Sequence, residues 1–408
     1  MSVPAKAHPK SPSLRSKRSN VFSSRLHWSL PPNRLSTLLA EKRQAGSEVL
    51  DLTESNPTRA GLTYPDSEIL AALTDATALR YHPSPRGLDA AREAVAGYYR
   101  DRGTPAQSQN VLLTASTSEA YAFLFKLLAN PGDDILAPRP SYPLFEFLAG
   151  LESVNIRQYP LRYDGVWHID FDALEQAITR RTRGIVVVNP NNPTGSFLKR
   201  AELDRLDSLA AVRGLAILSD EVFREYAFAE DTERVSTLAG DRRALTFSMS
   251  GLSKIAGLPQ MKLGWIVASG PDRDRTRDQA MDALELIADT YLSVSTPVQV
   301  ALPRLLQLSS GIMQQIRQRT ASNLASLREA MQGSAATVLR AEGGWYAVLQ
   351  VPRTRSEEEW SLKLLGEFNV LVQPGFFFDF ESEAFLVLSL LPEPTTFAKG
   401  VSRLRSII

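Results

Sequence analysis

The sequence predicts an α/β protein in which helices cover a largely parallel sheet, followed by a smaller α+β domain. The first observation is length, because 408 residues exceed the size at which a single hydrophobic core stops growing. The second is alternation, since short β-branched runs and helix-like stretches take turns from about residue 81 to residue 269. The third is a change after about residue 310, where strand-like and helix-like segments mix.

The strand-like runs of the first region are apolar at consecutive positions, as in Ile185 to Val188. Strands that are buried on both faces of a parallel sheet have this composition. Covering helices are predicted at SEAYAFLFKLLA and RAELDRLDSLAAV, where apolar residues recur at helical spacing. The predicted strands are DILAP, GIVVVNP, GLAILSDE, ALTFSMS and KLGWIVAS, and the later region adds WYAVLQV and AFLVLSLL with a helix at TTFAKGVSRL.

The N-terminal part of the chain differs in composition from the rest. It is basic and rich in Ser and Pro, which predicts disorder, with an organelle transit peptide as the alternative. Leucines recur at helical spacing between Arg34 and Arg43 and predict a short amphipathic helix. The predicted segments are 1–20 as the disordered extension, 21–59 as an N-terminal segment packing with the small domain, 60–310 as the large domain and 311–408 as the small C-terminal domain.

Composition limits the classes of partner. The 46 basic and 45 acidic side chains nearly balance, which gives no electrostatic reason to expect nucleic acid or an anionic membrane. There is no cysteine, and the four histidines have no metal-ligand spacing, so no metal site is predicted. No apolar run approaches the roughly 20 residues that span a bilayer, and no signal-peptide core follows the N-terminal charges. We expect a cytoplasmic protein with small-molecule partners.

Polar residues gather where the predicted strands end, which is where parallel sheets bind ligands. Taken singly, each group has an ordinary structural interpretation: a turn for the Asn-Pro string, a helix cap for Asp220 and a solvated surface residue for Lys254. Their joint order favours one shared site. The groups are Thr114 to Ser118, Asn189 to Gly195, Ser219 to Glu221 and Ser250 to Lys254.

Together these segments resemble the fold-type I pyridoxal-phosphate family, and within it the class I/II aminotransferases. The resemblance runs from VLDLTESNPT near Val49 through YHPSPRG, TASTSEA, PRPSYP, NPNNPTG, SDEVF and SGLSKIAGLPQMKLGWI to the QPG that ends at Gly375. Asp220 follows Asn192 by 28 positions and Lys254 follows Asp220 by 34, both close to the family's intervals. The resemblance implies a mostly parallel, seven-stranded-type sheet between helices, bound pyridoxal 5'-phosphate, and a homodimer with shared active sites.

The cofactor of that family needs a covalent tether, a protonated ring nitrogen, a stacked ring and a bound phosphate. The resemblance gives Lys254 the role of tether, as a Schiff base, and of general base and acid once substrate displaces it. Asp220 matches the carboxylate that pairs with the ring nitrogen. Asn192 matches the residue that hydrogen-bonds the phenolic oxygen of the ring. Tyr142 matches the aromatic side chain stacked on the ring, with an ordinary core aromatic as the alternative.

The phosphate is expected at Ser116 and Thr117, because helix N-termini present free N–H groups to anions. Tyr81 matches a family tyrosine that reaches the phosphate of the neighbouring subunit. Both assignments come from the resemblance, since the sequence by itself shows no interface.

Some phosphate-binding positions depart from the family pattern. Lys262 stands where arginine is usual, so the positive charge is kept while the bidentate hydrogen bonding of a guanidinium group is lost. Gly251 stands where serine is common, which leaves Ser250 and Ser253 as hydroxyl donors. We expect phosphate binding to survive both changes.

Two further departures concern the ring and the substrate. Phe223 replaces the family tyrosine that donates to the phenolic oxygen. Val387 replaces the arginine that holds the substrate α-carboxylate. Arg59 is the first substitute expected to bind substrate and Arg86 the second, with an ordinary surface arginine as the alternative for each.

The leading function is amino-group transfer between an amino acid and a 2-oxo acid by ping-pong chemistry. The alternative is another pyridoxal-phosphate reaction on an amino acid or amine, namely β-elimination, decarboxylation or oxidation, because the groups around the cofactor select the reaction. A third hypothesis is a non-enzymatic binding protein that has kept the fold.

Overall fold

A computed structural model describes residues 21–26, 33–271 and 275–408. The extension predicted for residues 1–20 lies outside the described residues. The strands are β1 (Leu50–Asp51), β2 (Val111–Thr114), β3 (Asp134–Arg139), β4 (Asn155–Tyr163), β5 (Trp167–Ile169), β6 (Thr182–Val188), β7 (Ala216–Asp220), β8 (Thr246–Gly251), β9 (Gly264–Ser269), β10 (Thr337–Val338), β11 (Tyr346–Gln350), β12 (Val370–Leu371), β13 (Gln373–Pro374) and β14 (Phe385–Ser389).

The helices form before, between and after these strands. They are α1 (Arg34–Gln44), α2 (Asp66–Ala72), α3 (Asp89–Arg100), α4 (Thr117–Leu128), α5 (Phe145–Leu151), α6 (Phe171–Ala177), α7 (Arg200–Arg213), α8 (Leu252–Ile255), α9 (Thr276–Tyr291), α10 (Thr296–Met331), α11 (Glu357–Phe368) and α12 (Pro394–Arg405).

The large sheet confirms the predicted α/β class. Its order is β2-β9-β8-β7-β6-β3-β4-β5. The strands from β8 to β4 run parallel to one another, whereas β9 is antiparallel to both β8 and β2, and β5 is antiparallel to β4. The eighth strand, β5, is a short hairpin return on β4, and the other seven strands make the sheet that was expected.

Burial follows the composition that predicted these strands. Every residue of β7, β8 and β9 is buried, as expected for strands covered by helices on both faces. Helix α7 ends at Gly214, whose φ of 64° is the left-handed conformation that closes a helix with little strain in glycine. Helix α4 begins after Ser116, whose side chain accepts the Glu119 N–H. Gly214 thus lies just before the amino end of β7, and Ser116 lies just after the carboxyl end of β2.

The second sheet has the order β10-β11-β14-β13. One face of β14 carries Leu386 and Leu388, which pack with β1, α11 and α12 in their own apolar core. Strand β1 pairs in parallel with β12, and Leu35 of α1 packs against Leu365 and Leu371, so the N-terminal segment lies on this part of the molecule. The domain boundary predicted after residue 310 falls inside α10 and stays a prediction.

Among the described residues, no helix combines the length and apolar character that crossing a membrane requires. In the same part of the chain, no group of three or more His, Cys, Asp or Glu side chains is arranged to hold a metal ion.

Candidate active site

The carboxyl ends of β6, β7 and β8 bring three of the predicted residues to one edge of the sheet. These strands are neighbours and run in parallel, so the residues that follow them leave the sheet on the same side. Asp220 is the last residue of β7, and Lys254 follows β8 on the short helix α8. Asn192 lies in the turn after β6, which is tied to β7 by the hydrogen bond from Asn189 N–H to the Asp220 carbonyl oxygen at 2.8 Å.

Asp220 is a buried carboxylate with two donors. The Tyr121 hydroxyl donates to Oδ2 at 3.2 Å, and the Val222 N–H donates to Oδ1 at 3.2 Å. Burial raises the pKa of Asp220 to about 6, and these two hydrogen bonds and the nearby Lys254 oppose that rise. The carboxyl group is therefore prepared to exchange a proton or to hold a cation near neutral pH.

Lys254 is the complementary group. Burial lowers the pKa of its amine to about 8, while the negative charge of Asp220 works in the opposite direction. Its Nζ lies 4.8 Å from the centre of the Trp345 ring and 5.6 Å from that of the Phe223 ring. A partly buried lysine whose neutral form is accessible near pH 8 is a nucleophile and a base.

The turn after β6 contains three asparagines, which differ in whether their side-chain amides are hydrogen-bonded. Asn189 donates to the Val235 carbonyl oxygen at 2.8 Å, and Asn191 donates to that of Pro140 at 3.0 Å. Asn192 is also buried, yet its Oδ1 has no hydrogen-bond partner within the described ranges. An orphaned buried amide costs free energy unless a ligand satisfies it.

The residues predicted to hold phosphate lie around the start of α4 and the end of β8. Ser116 and Thr117 are partly buried at the N-terminus of α4, and the Ser116 hydroxyl accepts the Glu119 N–H at 3.2 Å. Ser250 is fully buried, and its Oγ has no partner in the part of the chain that the structure describes.

Gly264 keeps these two elements close. A Cβ added there would lie 3.0 Å from the Ser250 carbonyl oxygen and 3.2 Å from the Ser116 carbonyl carbon. Ser253, on α8, is partly buried.

Gly251 and Lys262, the two departures from the family pattern near the predicted phosphate site, have different surroundings. A Cβ added at Gly251 would lie 2.9 Å from both Gly264 Cα and the Leu263 carbonyl oxygen, so the serine that is common in the family has no room on this backbone. Lys262 is exposed and has a left-handed φ of 48°. The glycine at 251 thus follows from close strand packing, while Lys262 keeps a positive charge just before β9.

Aromatic side chains form one wall around Lys254 and Asp220. Phe223 is buried and packs edge-on against Trp345 and Tyr346, with ring centres 5.2 and 6.2 Å apart. Tyr142 is partly buried, and burial, Tyr346 and Asp220 all raise the pKa of its hydroxyl. Tyr142 therefore lies beside both the wall and the carboxylate.

Two residues of this site escape sequence reasoning. Tyr121 lies within the helix predicted at SEAYAFLF, and its distance of 99 residues from Asp220 along the chain hides their hydrogen bond. Trp345 follows two glycines, Gly343 and Gly344, which are the only local signal that the chain packs closely there.

The predicted substrate-binding and inter-subunit residues have different surroundings. Arg59 is exposed at the end of a short 3-10 helix. Arg86 forms ion pairs with Asp282 at 2.9 Å and Glu285 at 2.6 Å on α9. Tyr81 is 81% exposed. Among the described residues, none of the three forms a hydrogen bond or an ion pair with Lys254 or Asp220, although Ala60, next to Arg59, packs in the same cluster as Phe223 and Trp345.

Val387 lies on the face of β14 that is turned towards the large sheet. It is fully buried with Trp167, Leu339 and Phe378 in an apolar cluster. A substrate carboxylate would find no hydrogen-bond donor in the Val387 side chain.

The parallel sheet and the amine–carboxylate pair at its carboxyl edge define an α/β enzyme that acts on a small molecule. The model of the family described as aminotransferase class I and II matches residues 47–397, and the chain belongs to that family.

Relatives and solved structures agree with this membership. The tyrosine aminotransferase of Mus musculus is 30% identical over 367 residues, which cover 86% of this chain and 79% of that protein. The glutamate-pyruvate aminotransferase of Escherichia coli (strain K12) is 30% identical over 262 residues and 64% of each chain. The alanine aminotransferase from Pyrococcus furiosus shares the fold with a TM-score of 0.83, at 24% identity over 95% of this chain and 99% of that one.

The predicted enzyme class is confirmed: the chain is an aminotransferase, which moves an amino group between an amino acid and a 2-oxo acid. Members of this family generally depend on pyridoxal phosphate.

Proposed function

We propose that this aminotransferase binds pyridoxal 5'-phosphate through Lys254 and pairs the ring nitrogen with Asp220. The observation that carries the proposal is the buried Asp220 carboxylate facing the partly buried Lys254 amine at the ends of neighbouring strands. When bound, the cofactor withdraws electrons from the substrate carbon that bears the amino group. The orphaned oxygens of Asn192 and Ser250 support the fit, since both are buried and lack partners within the described residues.

The residues of the chain have distinct tasks in this proposal. Lys254 holds the cofactor covalently, and its amine, once released, accepts and returns a proton at Nζ. Asp220, ionised above about pH 6, holds a positive charge at the ring nitrogen and keeps a proton there. Tyr142 and Phe223 supply ring contacts that exclude water.

The phosphate has its own proposed partners. The N-terminus of α4 offers backbone N–H groups and the hydroxyls of Ser116 and Thr117. Ser250 and Ser253 add hydroxyls from the end of β8 and from α8, and Lys262 adds a positive charge.

We also propose a homodimer in which Tyr81 reaches the phosphate bound by the other copy. The support is its exposure of 81% beside other exposed apolar side chains, among them Leu79 and Leu292. Analytical ultracentrifugation tests the dimer, and a monomer at micromolar concentration would refute it. The cytoplasmic location stays a prediction, which cell fractionation tests.

The experiment is cofactor trapping combined with a donor panel. We expect borohydride to fix the cofactor on Lys254, and Lys254→Ala to abolish both fixation and turnover, while the control Lys363→Ala on α11 leaves both unchanged. A reduced adduct on another lysine would overturn the assignment. The names of the relatives suggest tyrosine, alanine and glutamate as first donors. Release of ammonia or carbon dioxide instead of amino transfer would select the alternative reactions.

A further inference from the structure

The amine of Lys254 lies over an indole ring that has no assigned role. Its Nζ is 4.8 Å from the centre of the Trp345 ring, closer than to the Phe223 ring at 5.6 Å. Trp345 is fully buried, and its Nε1 makes no hydrogen bond within the described ranges. A tryptophan buried at the cost of an unsatisfied N–H calls for a role beyond filling space.

The indole ring is fixed with respect to the lysine. Phe223 and Tyr226 both pack edge-on against Trp345 with ring centres 5.2 Å away. The Tyr226 hydroxyl donates to the carbonyl oxygen of Lys254 at 2.5 Å. Tyr226 therefore connects the backbone of the lysine to the ring that lies under its amine.

We propose that Trp345 is a positioning residue for Lys254, whose protonated amine it holds against the indole face whenever the lysine is free of the cofactor. An aromatic ring attracts an ammonium group through its quadrupole, and tryptophan does so best. The proposal rests on the proposed role of Lys254. In that role the amine must take up a proton and give it back at one place, and a ring that favours the ammonium form without a fixed charge suits this task.

The charges around the amine are few. Asp220 on β7 is the charged group that acts on Lys254 and raises the pKa of its amine, against the effect of burial. The titratable neighbours of Trp345 are Tyr64, Tyr226 and Tyr346, and burial raises the pKa of each. These tyrosines stay neutral between pH 6 and 9, so loss of the ring is not masked by their titration.

The test measures the pKa of the Lys254 amine in the cofactor-free protein. The rate of its reaction with acetic anhydride is followed against pH, and the modified peptide is quantified by mass spectrometry. We expect Trp345→Leu to lower this pKa by about one unit. Trp345→Phe keeps a ring and should lower it by less. Trp360→Leu is the control and should leave the pKa of Lys254 unchanged. Trp360 is also buried, but it lies in the core around the second sheet and donates to the Pro352 carbonyl oxygen.

The outcomes separate two ideas. An unchanged or higher pKa in Trp345→Leu overturns the role of Trp345 while leaving the trapping result for Lys254 intact. Failure of borohydride to fix the cofactor on Lys254 overturns the proposed function whatever the pKa does. If Trp345→Leu does not fold, Trp345→Met, which also removes the ring, decides in its place, and a pKa equal to that of the wild type refutes the proposal.

Discussion

Removing the Tyr121 hydroxyl tests how Asp220 is kept ionised. In Tyr121→Phe the carboxylate loses one of its two donors, the O–H that reaches Oδ2 at 3.2 Å, and keeps the Val222 N–H. Both Tyr121 and Asp220 are buried, so water does not readily replace the lost donor. We expect the pKa of Asp220 to rise further above its ordinary value.

The magnitude follows from the hydrogen bond that is lost. A hydrogen bond to a charged group contributes about 1.5–3 kcal/mol, and a long O–H···O contact belongs at the lower end of this range. About 1.5 kcal/mol corresponds to about one pKa unit. The pKa of Asp220, which burial raises to about 6, should therefore reach roughly 7 in the variant.

The sign of the pH effect on stability is fixed by the direction of the shift. Because the folded-state pKa of Asp220 is raised above the ordinary value of 3.8, its contribution to stability is complete below the unfolded pKa and is lost as pH rises through the folded pKa. The variant has the higher folded pKa and loses more. Its destabilisation relative to wild type should grow by about 1.4 kcal/mol between about pH 5 and pH 8.

Urea unfolding of the cofactor-free protein at these two pH values measures the difference. The matched control is Tyr159→Phe, another buried tyrosine, whose hydroxyl donates to the Val186 carbonyl oxygen at 2.8 Å and not to a carboxylate. Its cost should be the same at both pH values. A cost of Tyr121→Phe that does not change with pH would refute the role given to this hydroxyl.

Two further substitutions test the departures from the family pattern. Arg59→Ala should lower kcat/KM for amino acid donors by about 100-fold and spare the matching decarboxylated amines, because a charged hydrogen bond to the substrate carboxylate is lost. Equal effects on both substrate types, or an equal effect of the exposed control Arg180→Ala, would show that Arg59 does not bind the substrate. Gly251→Ser should destabilise the protein by about 1–3 kcal/mol through overpacking against β9, as measured by thermal unfolding. The control Gly311→Ser on α10, where an added Cβ meets nothing within 4 Å, should cause no such loss. An unchanged stability in Gly251→Ser would contradict the packing reason for that glycine.

The fold was predictable because the burial of a strand or helix shows directly in its pattern of apolar residues. The fully buried run of Ile185 to Val188 and the helical spacing in the stretch before Leu128 fixed the type of each element. Strands β4 and β5 were not predicted. Most residues of β4 are exposed or only partly buried, so it lacks a continuous apolar run, and β5 is a hairpin return of three residues with too little sequence for a periodic pattern.

The site was predictable only for residues whose position in the chain indicates their chemical role. The strand ends indicated one shared region, and the family resemblance assigned Lys254, Asp220 and Asn192 within it. The sequence could not show that the Asn192 amide oxygen lacks a partner while Asn189 has one, because this depends on residues far along the chain. The contacts of Tyr121 with Asp220 and of Trp345 with Lys254 were missed for the same reason.

Of the four departures from the family pattern, three lie at strand ends of the large sheet and one lies in the second sheet. The first three are Phe223 after β7, Gly251 at the end of β8 and Lys262 before β9. In our proposal, Lys254, Asp220 and Asn192, which lie at strand ends of the large sheet, carry the chemistry that all donors share. Val387 belongs to the second sheet, on the face that packs against Trp167 of the large one. We therefore expect the change at Val387 to alter the choice of donor and to leave the amino transfer itself in place, which kcat/KM values across the donor panel measure.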